Sequence, residues 1–154
     1  GPWHLHTHPG VDPQRLEQAL DQPTCGLTTR HWLLWAVIDE AALRRVTGGR
    51  AVMAEALRHI ADLARQGRVI VQVLPFGAGA HAAMEGSIKL MDFEDAPPLV
   101  YFEGVGTGRL EDDPAFVRHQ RFTYELLTAC ALSPGNSLAL IEAMAQDYAH
   151  EDHP

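Results

Sequence analysis

Two short apolar runs separated by one amphipathic stretch constrain this chain more than anything else in it. Leu33-Leu34-Trp35-Ala36-Val37-Ile38 and Val69–Leu74 are each of strand length, the second broken only by Gln72. Such runs suit strands covered on both faces, although periodicity alone leaves a buried helix open for the first. Between them, Val52, Met53, Ala56, Leu57, Ile60, Leu63 and Ala64 recur at helical spacing opposite Glu55, Arg58, Asp62 and Arg65. Gly67 supplies the stop. Strand, helix and strand in that order predict a parallel pair joined by a right-handed crossover.

The other elements follow from caps and breakers. Asp12-Pro13, Asp113-Pro114 and Ser133-Pro134 each place a capping side chain before a proline at the first helical position. A short helical piece from Asp39 to Arg45 stops at Gly48-Gly49, and Pro75 to His81 is a glycine-rich loop. Ser87–Phe93 and Leu99–Glu103 read as a hairpin with a long loop. The expected fold class is α/β: one layered domain over residues 12–149. Its mixed sheet of about four strands (33–38, 69–74, 87–93, 99–103) is flanked by helices (12–20, 50–66, 114–131, 134–148). Gly1-Pro2 reads as the scar of a removed tag, residues 3–11 as an irregular segment and 150–154 as a frayed tail.

Composition narrows the function. Apolar residues at 46% and charged ones at 21% are ordinary for a soluble globular chain. Twenty acidic against twelve basic side chains give a formal charge of -8, and Lys89 is the single lysine. Binding of nucleic acid by this segment alone is therefore not expected, since that affinity rests on phosphate neutralisation. No run is long enough to span a membrane. Cys25 and Cys130 read as reduced thiols of a cytoplasmic protein, with Cys130 placed in the core by its apolar neighbours.

Few residues promise chemistry. His4, His6 and His8 would share one face of a strand and suit zinc or nickel, but the bland reading is a polar entry segment with incidental histidines. Cys25 with His31 lacks a nucleophile turn. Neither a phosphate-binding loop nor a dinucleotide fingerprint occurs, and no cofactor is expected. Polar residues where apolar strands end carry more weight, because ligands of parallel sheets favour that rim. Glu40, His81 and Glu103 are the acid/base candidates. Arg44, Tyr101, Gln72 and Phe76 are the candidates for holding an anionic or carbonyl ligand. The competing reading is capping and ion pairing, with Glu40 and Arg44 bracing one helical turn.

Trp35-Ala36-Val37-Ile38-Asp39-Glu40-Ala41-Ala42-Leu43-Arg44-Arg45, Gly48-Gly49, Val71-Gln72-Val73-Leu74-Pro75-Phe76, Ala78-Gly79-Ala80-His81 and Val100-Tyr101-Phe102-Glu103-Gly104 occur in order, followed by Ala131-Leu132-Ser133-Pro134 and Ser137-Leu138-Ala139-Leu140-Ile141. Over residues from about 30 to 145 the chain thereby resembles the C-terminal, antitoxin-like domain, of unknown function, of actinobacterial XRE-type helix-turn-helix regulators. The resemblance implies a signal-sensing or protein-interaction role beside a DNA-binding module, and brings no catalytic residues. Residues 82–88 depart from the pattern, and the N-terminal histidine-rich stretch is unlike the usual linker.

Two functions follow as expectations. The first is a sensing domain whose partner is a small-molecule ligand or a small protein, with homodimerisation compatible. The alternative is a cofactor-independent cyclase, isomerase or lyase that uses an acid/base pair in a cleft at the strand ends.

Overall fold

The computed structural model of the chain describes residues 5–7, 34–82, 84, 86–93, 95–104 and 107–150. The architecture is mixed α/β. In chain order the elements are β1 (Leu5–Thr7), β2 (Leu34–Asp39), α1 (Glu40–Arg44), α2 (Arg50–Arg65) and β3 (Val69–Leu74). After a 3-10 turn at Phe76–Ala78 come β4 (Ser87–Met91), β5 (Leu99–Gly104), β6 (Thr107–Glu111), α3 (Pro114–Cys130) and α4 (Pro134–Ala149). The helix expected at 12–20 lies outside the described residues.

Within the span expected as one domain, the residues gather into two compact units. Of the described residues, a crossover unit takes 34–79 and 127–150, and a meander unit takes 5–7 and those from 80 to 126. The one mixed sheet expected from the sequence is accordingly two sheets. β2 and β3 form a parallel pair, while the other four strands follow the order β1-β6-β5-β4.

In the crossover unit, Leu34–Asp39 lies in register with Val69–Leu74, so Ile38 is opposite Val73 and Asp39 opposite Leu74. One face of the pair supplies Val71 and Val73 to a core with Met53, Ala54, Leu57 and Ala61 of α2 and Ile141, Met144, Ala145 and Tyr148 of α4. The stripe on α2 recurs every three or four residues, as one helical face must. Val52 falls off it and is exposed. Val73 also shows why no further strand joins here. Its N–H donates to Ser137 Oγ at 2.9 Å, and its carbonyl accepts from Leu132 N at 2.9 Å. Backbone groups that a third strand would need are taken by the entry to α4.

In the meander unit β4, β5 and β6 pair antiparallel, and β1 lies parallel to β6 at the edge. β4 and β5 form the expected hairpin, Ser87 opposite Glu103 and Met91 opposite Leu99. β6 was not legible as a strand, since Thr-Gly-Arg-Leu-Glu has no apolar run. Tertiary pairing with β5 makes it one, and its Leu110 is fully buried with Leu99 beside Met91, Phe93 and Tyr101. On the opposite face Phe102 meets Phe116 of α3 edge-on, with ring centroids 5.4 Å apart. Cys130, expected in the core, is exposed: it closes α3, where the helix ends and no inward position is left to it.

Candidate functional site

β2 runs straight into α1 because Asp39 serves both. It is the last strand residue and the N-cap, its carboxylate accepting the Ala41 N–H at 2.7 Å. Glu40 is therefore the first helical residue and is turned inward, only 8% exposed. Its Oε1 accepts from Arg44 Nε at 2.6 Å and lies 2.6 Å from Arg44 Nη2, one helical turn on. Its Oε2 accepts the backbone N–H of Phe76 at 2.9 Å. Phe76 follows the end of β3, so one carboxylate bridges the C-terminal ends of both parallel strands. The Phe76 N–H, and then the Arg44 guanidinium, hold the Glu40 carboxyl below its ordinary value against the opposing effect of burial.

An ionised carboxylate with both oxygens engaged is a poor proton carrier. Glu40 works as a strut, and Arg44 is fixed by it while half of its side chain remains in solvent. The Phe76 ring, expected to hold a ligand, is exposed beyond its bonded amide. Gln72 is buried and satisfied: its Oε1 accepts from Trp35 Nε1 at 2.8 Å, and its Nε2 donates to the Leu132 carbonyl at 2.8 Å. Its role is to join β2, β3 and the turn before α4.

The remaining candidates belong to the meander unit. Tyr101 and Glu103 share a face of β5, as their alternation implies, and both meet Lys89 of β4. The ammonium lies 5.2 Å above the Tyr101 ring and 3.6 Å from Glu103 Oε2. His81 opens the same unit and is half-buried. The seven candidates thus fall into two sets, Glu40 with Arg44, Gln72 and Phe76 in one unit, His81 with Tyr101 and Glu103 in the other. Of the three N-terminal histidines only His6 falls within the described residues, in β1; Cys25 and His31 lie outside them. Among the described residues no group of three His, Cys, Asp or Glu side chains could hold a metal ion. Nor is any single helix among them long and apolar enough to cross a membrane.

Sequence reasoning missed an open groove in the crossover unit, with a volume of about 470 Å³. Arg44, Val46 and Arg50 line one side, and Met144, Asp147 and Tyr148 of α4 the other. Tyr148 forms a fixed base, its hydroxyl donating to the carbonyl of Leu43 at 2.9 Å and lying 3.2 Å from that of Arg44. Arg50 lies across the Tyr148 ring, 5.3 Å from its centroid, and donates to the Asp147 carbonyl at 2.6 Å. Helical spacing from Ile141 and Met144 marks Tyr148 as inward. Nothing local says that it meets residues about a hundred positions earlier.

Neither a curated protein nor a solved structure matches the chain. A family model does, over residues 4–143: the chain belongs to the family described as a domain of unknown function, DUF5753.

Proposed function

We propose that this chain is a sensing domain, binding a small-molecule ligand or a small partner protein in the cytoplasm, of the kind that forms the C-terminal half of helix-turn-helix transcriptional regulators. The observation that carries this reading is the crossover-unit groove, where two arginines are anchored by other residues and the nearest buried carboxylate, Glu40, is committed to Arg44 and the Phe76 amide. Anchored donors around an open concavity favour recognition of a ligand. Acid/base turnover would instead need a proton carrier with a free oxygen and a pKa near the working pH, and Glu40 has neither. The resemblance carried by residues 35–45, 71–81 and 100–104 points the same way. With a formal charge of -8, the chain would gain DNA affinity only from an attached module.

The test is thermal unfolding of the chain against organic acids, amino acids, nucleotides and purified small proteins encoded beside its gene. A true ligand at a hundred times its dissociation constant adds about 2.7 kcal/mol and raises the midpoint by several degrees. If no compound and no partner moves the midpoint, the sensing reading is wrong.

A further inference from the structure

We infer that the groove between α1, the start of α2 and the end of α4 is a binding site for a small organic monocarboxylate with an apolar body. The inference rests on the sensing reading and names the ligand class for it.

The geometry comes first. Gly48 and Gly49 both adopt positive φ, +73° and +96°, and turn the chain sharply between α1 and α2. Val46, half exposed, and Arg50 thereby line the same concavity as α4. Neither arginine needs to be ordered by the ligand. Arg44 is held by Glu40, and Arg50 by the Tyr148 ring and by the carbonyls of Asp147 and His150. Much of the side-chain entropy that binding would otherwise cost is already lost.

Donor supply comes next. A guanidinium carries about five N–H groups. Arg44 spends its Nε edge on Glu40, and Arg50 spends Nη2 on the carbonyls of Asp147 and His150, so each keeps donors for a ligand oxygen. A planar carboxylate matches that fork.

Charge limits the class of anion. Glu40 already balances Arg44, and Asp147 stands 3.6 Å from Arg50. With no surplus of positive charge the groove disfavours a phosphate dianion, and what it offers a monocarboxylate is the fork of remaining guanidinium donors. Val46 and Met144 provide the apolar contact, and the volume fits a small molecule better than a folded partner.

The experiment follows NMR resonances of the chain during titration with phenylacetate and hexanoate, with phenylacetamide and inorganic phosphate as controls. Both acids should shift Val46, Arg50 and Tyr148 saturably, and both controls should bind about tenfold more weakly or not at all. Arg50→Gln should weaken the acids by about tenfold. Val46→Glu breaks no bond and should weaken them comparably by repulsion at an unchanged thermal midpoint. Acids that leave these resonances unmoved, controls that match the acids, or a Val46→Glu chain that binds as before would each overturn the assignment. A compound or partner that stabilises the chain without moving these resonances sinks the groove and spares the sensing reading. Silence in both experiments sinks both.

Discussion

The Glu40 carboxylate and the Phe76 amide, 36 residues apart in the chain, meet at 2.9 Å across the ends of two parallel strands. The contact converts an ordinary helix-bracing pair, Glu40 with Arg44, into a tie between β2, α1 and the turn after β3. It also fixes which nearby groups remain available to a ligand.

Glu40→Gln should lower stability by about 1–3 kcal/mol, because the charge-assisted bonds to Arg44 and Phe76 weaken together. Urea unfolding at neutral pH reads this directly. The same carboxyl sets part of the acid sensitivity. Its folded pKa lies below 4.5, so its contribution is complete above that value and is lost as the pH falls through the lower folded value. The wild-type chain should therefore lose stability on acidification more steeply than Glu40→Gln. Parallel slopes below pH 4.5 would mean that the carboxyl is not held as described.

Ser137 is fully buried, and its hydroxyl accepts the Val73 N–H and lies 3.3 Å from the Leu132 carbonyl. Ser137→Ala removes almost no volume but leaves that N–H unsatisfied inside the core. A loss of about 1–3 kcal/mol is expected in denaturant titration, and a neutral result would show that the edge of β3 finds another acceptor.

Tyr148→Phe keeps the ring under Arg50 and removes only the hydroxyl bonded to the last carbonyls of α1. About 1 kcal/mol should be lost. The Arg45 amide, bonded to Ala41 O at 3.0 Å, should then exchange faster with solvent while amides in the middle of α2 are unchanged. Uniform acceleration across both helices would contradict the local role.

Gly49 and Gly135 should respond to alanine with opposite signs, although an added Cβ would meet nothing within 4 Å at either position. Gly49 sits at φ +96° and ψ +165°, a region essentially closed to other residues, so Gly49→Ala should cost about 1–3 kcal/mol. Gly135 lies in the first turn of α4 with ordinary helical backbone, where alanine should add about 0.5 kcal/mol. Thermal melts of the two variants settle both signs.

Local chemistry was enough to locate most elements. The unbroken apolar run at Val69–Leu74 and the helical stripe through Met53, Leu57 and Ala61 have one economical solution each, and β3 and α2 fall where they predict. Caps were equally legible. Asp113 accepts the Phe116 N–H at 2.8 Å, and Ser133 the Asn136 N–H at 3.2 Å, at the starts of α3 and α4. β6 escaped because Thr107 to Glu111 carries no apolar alternation: Leu110 and Glu111 are both buried, and pairing with β5 and β1 orders the segment.

The candidate site was legible by halves. Glu40 and Arg44 announce their pairing through helical spacing, a property of a single element. The second partner of Glu40, the burial of Gln72 between Trp35 and Leu132, and the groove that joins Arg50 to Tyr148 all depend on segments distant in sequence. The amino-acid sequence by itself determined the local periods and the caps, because these depend on neighbours within a few residues, and the parallel crossover, because the order strand, helix, strand leaves one favoured connection. Only the tertiary structure decided that the strands form two sheets and that the arginines converge on a groove. The first outcome turns on backbone groups that are occupied, as those of Val73 are by Ser137 and Leu132, and the second on contacts between segments about a hundred residues apart.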